Sequence, residues 1–353
     1  MRLATVLLIA LLSTAGFAHA ATSDAVRNAD RLMRKYTGDV PGASLLVLKD
    51  GKPLLRRGYG LANLEQHEAA SPATDYRLAS ISKQFTAAAI LLLAEGHKLT
   101  LDDSIRHWLP SLPASTDKVT LRQLLSHTGG LIDYEDLMPA SQATQLDDQD
   151  VLKLLSATSK SYFAPGTSYR YSNSGYVLLG LVVEKASGQT LPAFLKARIF
   201  APLHMDHTLL YEHGKGPEVP RRAYGYSFTK GRWTRTDQDL TSATRGDGGI
   251  YSNTDDLAKW DAALYDDRLL SDASRKLAFS PHATVTGEPY EAKYGFGWRI
   301  TGDTLWHSGE SIGFRNVIVR WPRQHLTIVL LSNRNEPEPY QTVLKIAQPF
   351  LSN

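Results

Sequence analysis

The segment YRLASISKQFTAAAILLLAEG, from Tyr76 to Gly96, constrains the fold more than any other stretch. Behind its first residues it is apolar nearly all round the helical wheel, with no polar stripe to face water. Such a helix must be enclosed on every side, so the chain has to build layers around it. At 353 residues it is long enough for the large core this requires. Yet the segment opens with Ser80, Ser82 and Lys83. On one reading, Ser80 caps the helix and Lys83 points to water. On the other, Lys83 meets the positive end of the helix dipole and loses hydration, and both effects favour a neutral amine. Residues three apart share a helix face, so that amine could take a proton from the Ser80 hydroxyl. The segment alone leaves both readings open.

The N-terminus, MRLATVLLIALLSTAGFAHAA, has a basic start at Arg2, an apolar run from Leu3 to Leu12, and the small-x-small triplet Ala18-His19-Ala20. This pattern predicts a signal peptide over residues 1–20, cleaved near Ala20, and a periplasmic or secreted product. An uncleaved anchor is the weaker reading. Ser13, Thr14 and Gly16 interrupt a run already short of the roughly 20 residues a span needs. The chain has no cysteine, which excludes a disulfide scaffold, a thiolate metal site and a cysteine nucleophile. A formal charge of +3 without a long basic run argues against nucleic acid as a partner. With no second apolar span, stable membrane insertion of the mature chain is not expected. Nothing in the sequence bears on oligomeric state.

Strand patterns stand at both ends. Asp50-Gly51 is a hairpin turn signal inside ASLLVLKDGKPLLRRGYG, after a surface helix at residues 22–36. TLWHSG, NVIVRWP and HLTIVLLSN read as strands, with a turn at Pro322-Arg323-Gln324 and a last helix from about Pro339 to Leu351. Between them the pattern is mainly helical from about Thr74 to Leu203. Thr120 opens a helix that Gly129-Gly130 ends; Asn173 or Ser174 opens another that Gly188 ends; Asn253 caps a third. Residues 222–235 suggest a small hairpin. The expected architecture is α+β: an antiparallel sheet built from both chain ends, flanked by helices, with a mainly helical lobe (about 74–210) inserted. Residues 21–353 are read as a single catalytic domain.

Ser-x-x-Lys is a weak signal by itself, since it recurs at Ser115…Lys118 and Ser227…Lys230. Only Ser80…Lys83 opens a long helix. Two further pieces accompany it: Tyr171-Ser172-Asn173 just before a helix, and His307-Ser308-Gly309 on a late strand. Each alone reads as packing, a cap or a strand-end turn. In that order and context they resemble the serine β-lactamase and penicillin-recognising superfamily, in its branch of class C β-lactamases, D-alanyl-D-alanine carboxypeptidases, D-peptidases and esterases. LLSHTGGL, FAPGTSYRYSNSGYVLLG and GDGGIYSNTDDLAKW are similar to recurrent segments of that family.

The resemblance implies an acyl-enzyme serine hydrolase with no cofactor and no metal. Ser80 would be the nucleophile, and Lys83 and Tyr171 the proton-transfer groups. Asn173, His307, Ser308 and Gly309 would contact substrate. His307 would also orient the Tyr171 hydroxyl and, if protonated, bind negative charge. The backbone N–H groups of Ser80 and Glu310 would form the oxyanion hole. β-Lactamases of the family usually carry lysine where His307 stands. A D-alanyl-D-alanine carboxypeptidase-like or D-amino-acid peptidase is therefore expected ahead of a carboxylesterase. A class C-like β-lactamase and a catalytically silent penicillin or cell-wall-fragment binder follow. Arg245 and Arg315 are candidate carboxylate contacts.

Three rivals are weaker. Gly309-x-Ser311-x-Gly313 matches a nucleophile elbow, but a strand pattern follows where a helix is required. His204, Asp206 and His207 cluster without a third metal ligand in view. Arg245-Gly246-Asp247, an apparent adhesion tripeptide, is expected to be a turn lining the cleft.

Overall fold

The computed structural model describes residues 23–212 and 216–351; the expected signal peptide lies outside them. After helix α1 (residues 23–32), β1 (Ala43–Lys49) and β2 (Lys52–Tyr59) form the expected hairpin. Asp50 and Gly51 both take left-handed φ, 52° and 72°, which an Asp-Gly turn tolerates. The remaining strands of the main sheet come from the other end of the chain. They are β3 (Ala283–Thr284), β4 (Lys293–Tyr294), β5 (Arg299–Thr301), β6 (Thr304–Ser311), β7 (Phe314–Trp321) and β8 (Leu326–Ser332). All neighbours are antiparallel, in the order β3-β4-β5-β6-β7-β8-β1-β2. The two ends meet where β1 pairs with β8, Leu45 opposite Leu330.

Beyond α1, helix α2 (Lys83–Glu95) packs against α3 (Asn173–Ser187) in the helical lobe, and α4 (Thr254–Ala263) and α5 (Tyr340–Leu351) pack on this sheet. Alternate residues of β1 bury on opposite faces. Leu45 and Val47 join Ala25 and Ala29 of α1 and Val343 and Ile346 of α5. Leu46 and Leu48 join the cluster containing α2, α3 and α4. Burial on both faces explains why ASLLVLK is one apolar run without alternation. Helix α2 is buried from Lys83 through Leu93, as its composition demanded. Its Phe85 ring lies 4.4 Å from the ring of Trp260 in α4.

Several local expectations hold. Asn253 caps α4, Gly188 ends α3 at φ 71°, and a hairpin joins Tyr226–Thr229 to Arg232–Arg235. Others need correction. Thr120 does open a helix, with a capping box to Gln123, but it stops at Leu125, well before Gly129. Ser172, not Asn173 or Ser174, caps α3, its hydroxyl accepting from the Gly175 N–H. The Asn173 side chain is thereby free for another task. One element was invisible in the sequence. The short strand Ile250–Ser252 pairs with both Tyr76–Arg77 and Leu209–Leu210, tying the segment before Ser80 to the GDGG loop. No helix among the described residues is long and apolar enough to cross a membrane.

Candidate active site

Ser80 does not cap the buried helix. It sits in a 3-10 turn, Ala79–Ser82, and α2 begins only at Lys83. The preceding Ala79 has φ 49°, a left-handed conformation that is strained for a residue with a side chain. The small sheet holds it there: the Leu78 N–H donates to the Ile250 carbonyl at 2.8 Å, and the Ile250 N–H to Ser82 Oγ at 3.2 Å. On the other side runs β6. A Cβ at Gly309 would overlap the Leu78 carbonyl oxygen, so only glycine lets this strand pass so close to the serine turn.

Lys83 has no exposed surface. Its Nζ lies 3.0 Å from Ser80 Oγ, 2.8 Å from Asn173 Oδ1 and 2.9 Å from the Asp247 carbonyl oxygen. None of these oxygens belongs to a carboxylate. Asn173 is itself fixed: its Nδ2 donates to Glu135 Oε1 at 2.8 Å and its backbone N–H to Asp133 Oδ2 at 2.7 Å. Asp247 belongs to the Arg-Gly-Asp triplet. A Cβ at Gly246 would overlap the Tyr176 carbonyl, so this loop packs tightly on α3. Of the triplet, Asp247 lines the cleft on a turn, as expected, whereas Arg245 points away from it. Burial raises the carboxyl of Asp247 above the usual carboxylate range.

Tyr171 and His307 complete the sequence-derived set, with one correction. The Tyr171 hydroxyl is buried and has no hydrogen-bond partner among the described residues. Its ring centroid lies 5.0 Å from Lys83 Nζ. His307 does not orient that hydroxyl. Its Nε2 is 2.9 Å from the Tyr294 hydroxyl, and its Nδ1 is 2.7 Å from the Ser308 carbonyl oxygen. Burial first, then the charge of Arg299, holds the imidazole well below the ordinary histidine range. The neutral form therefore prevails, and a cation for substrate carboxylates is missing at this position. A second buried histidine, His127, packs 4.3 Å from the Tyr171 ring and is held low for the same first reason.

A cleft of about 390 Å³ opens on these groups, lined by Ser80, Glu135, Asn173, Asp247, Glu310 and Arg315 among others. Of the two candidate arginines only Arg315 reaches it. Arg245 is committed to Asp148 at 3.2 Å and Glu212 at 3.1 Å. Glu135 and Tyr294 carry no spacing signal that would have singled them out. Their places come from the fold.

The rivals do not survive. Ser311 and Phe314 are paired across a tight turn joining β6 to β7, so no helix follows the apparent elbow. No group of three potential metal ligands exists among the described residues. At the alternative pairs, Ser115 lies in a 3-10 turn, and Ser227 lies on a hairpin strand whose turn holds Lys230.

Comparison with known proteins agrees with this geometry. The Beta-lactamase family model matches residues 28–348. Penicillin-binding protein 4* of Bacillus subtilis is 35% identical over 327 residues, covering 87% of this chain and 72% of that protein. Protein flp of Staphylococcus aureus is 28% identical over 89% of this chain, which spans only 64% of that protein's length. Among solved structures, D-amino acid amidase from Ochrobactrum anthropi, complexed with L-phenylalanine amide, shares the fold. Its TM-score is 0.79 at 24% identity, covering 93% of this chain and 99% of that one. With a serine and a buried lysine in contact at the head of a buried helix, and the family model spanning almost the whole described chain, this protein is a hydrolase belonging to the Beta-lactamase family.

Proposed function

We propose that the protein is an exported acyl-serine hydrolase that cleaves amide or ester bonds, most of all those of D-amino-acid derivatives. The observation that carries this reading is the 3.0 Å contact between Lys83 Nζ and Ser80 Oγ in a fully buried lysine. Ser80 Oγ attacks the carbonyl carbon as its proton passes to the Lys83 and Tyr171 pair. The same pair returns the proton to the leaving nitrogen or oxygen as that bond breaks. Water then hydrolyses the acyl-enzyme. Asn173 holds Lys83 in place. The N–H groups of Ser80 and Glu310 receive the developing oxyanion, each worth about 3–4 kcal/mol in the transition state.

Substrate class follows from charge. A neutral His307 gives no fixed cation on β6, which favours D-amino-acid peptidase or amidase action over carboxypeptidase or β-lactamase action. Carboxylesterase action is the second reading, favoured by the same neutrality. The names of the Bacillus and Ochrobactrum proteins fit penicillin capture and D-amino-acid amide chemistry respectively. Nitrocefin, p-nitrophenyl acetate and butyrate, a D-amino-acid amide and a D-alanyl-D-alanine peptide, run on wild type and Ser80→Ala, decide the matter. Fastest turnover of the amide or neutral ester is expected. Efficient nitrocefin turnover would overturn the substrate reading, and unchanged rates in Ser80→Ala would overturn the mechanism.

A further inference from the structure

The residue after Gly309 is Glu310, and directly across the β6–β7 ladder stands Arg315. Their side chains meet at 2.6 Å, Arg315 Nη2 to Glu310 Oε1, and both line the cleft that holds Ser80. The two partners are unequal. Arg315 is held: its Nη1 donates to the Ser311 carbonyl at 3.1 Å and the Phe314 carbonyl at 2.9 Å, and its side chain is 19% exposed. The Glu310 side chain is 68% exposed, with no other hydrogen bond described. A guanidinium held in the cleft thus carries an exposed carboxylate from the protein itself.

We propose that Arg315 is an anion subsite for substrate, and that Glu310 occupies it in place of a substrate carboxylate. This rests on the reading of the cleft as the acyl-transfer site. Nη1 is taken by the two carbonyls and Nη2 is the nitrogen at Glu310, so a free acid reaching that place would meet the same charged donor. While Glu310 is present, an incoming carboxylate must displace it and approach against like charge. Amides and esters meet no such competition. Glu310 is therefore a specificity-determining residue that excludes free acids.

The test uses binding, so it needs no turnover. On the full-length Ser80→Ala protein, calorimetry measures the affinities of N-acetyl-D-alanine and of its neutral amide. Adding Glu310→Gln should raise the acid-to-amide affinity ratio at least tenfold. Adding Arg315→Met as well should return the ratio to its starting value. The gain in Glu310→Gln should also shrink with salt, an independent readout should Arg315→Met fold poorly. An unchanged ratio, no measurable acid binding in Glu310→Gln, or a gain that survives Arg315→Met or high salt would overturn the proposal. Failure of the hydrolase reading shows separately, as undiminished p-nitrophenyl ester hydrolysis by Ser80→Ala.

Discussion

The Tyr294 hydroxyl and Nε2 of His307 are 2.9 Å apart and buried. The other ring nitrogen faces the Ser308 carbonyl, which can only accept. Nδ1 therefore carries the proton, and Nε2 accepts from Tyr294. The Ser308 carbonyl thus sets the tautomer, Tyr294 takes up the other nitrogen, and burial with the charge of Arg299 keeps neutral the one histidine that the family resemblance nominates as a charge.

This makes stability depend on pH in a definite direction. His307 and His127 are buried and neutral, both held below the ordinary value of 6.5. In the unfolded chain both protonate near that value, so the unfolded state binds more protons below it. The stability these two rings contribute is therefore full above about pH 6.5 and falls as pH drops, by up to about 1.4 kcal/mol per pH unit for each histidine. Asp148 and Asp75, buried carboxyls raised to about 7 and about 6, work in the opposite direction over the same range. The histidine contribution is therefore read from a difference: urea denaturation at pH 7.5 and 5.5 should show a more negative change on acidification in wild type than in His307→Gln. The same change in both proteins would mean that the His307 ring is already charged in the fold.

Ser80→Ala should abolish hydrolysis of every substrate while leaving the circular dichroism and melting temperature near wild type. Its hydroxyl caps no helix, so removing it costs little structure. Ser311→Ala, at the β6–β7 turn, should keep most activity. The reverse pattern would move the nucleophile to Ser311.

Lys83→Arg should be nearly as damaging as Lys83→Ala, at least a hundredfold in kcat/KM. Arginine keeps the charge but cannot release a proton near neutral pH. Its planar fork also cannot reproduce three bonds converging on one nitrogen, to Ser80, Asn173 and Asp247. Near-normal kcat in Lys83→Arg would leave Lys83 a purely electrostatic role.

Gly309→Ala should lose activity even though alanine suits a strand. Its methyl group would overlap the Leu78 carbonyl and push β6 away from the serine turn. The expected cost is about 1–3 kcal/mol of stability from overpacking. A kcat loss of roughly tenfold or more should accompany it, as the Glu310 N–H moves off the oxyanion. Unchanged kcat in a folded variant would remove Glu310 from that role.

Much of this was legible before any coordinates. An all-round apolar helix had to be central, and a strand pattern at each end had to pair because neither end could bury a sheet alone. Ser80 and Lys83 stood out because a lysine at the head of such a helix is electrostatically awkward. What stayed hidden was pairwise. The fate of His307 depends on Tyr294, two strands away in the sheet, and no spacing rule connects them. Arg245 and Arg315 looked equivalent in sequence. One is locked among Asp148, Glu184 and Glu212, the other faces the cleft, and only tertiary packing separates them. The local miss at Ser172 had a simpler origin. YSNSGY offers three polar residues in a row, and any of them satisfies the capping rule.

The pairing of β1 with β8 has a temporal consequence. Ala43 pairs with Ser332 at the end of β8, so the centre of the sheet cannot close until residue 332 has been made. Gly309 and Glu310, on β6, reach that centre only through β7 and β8. A growing or threaded chain therefore carries its serine and lysine without the strand that would face them. Contacts so distant in sequence also form slowly. The topology therefore predicts that hydrolysis is absent until the late strands have joined β1.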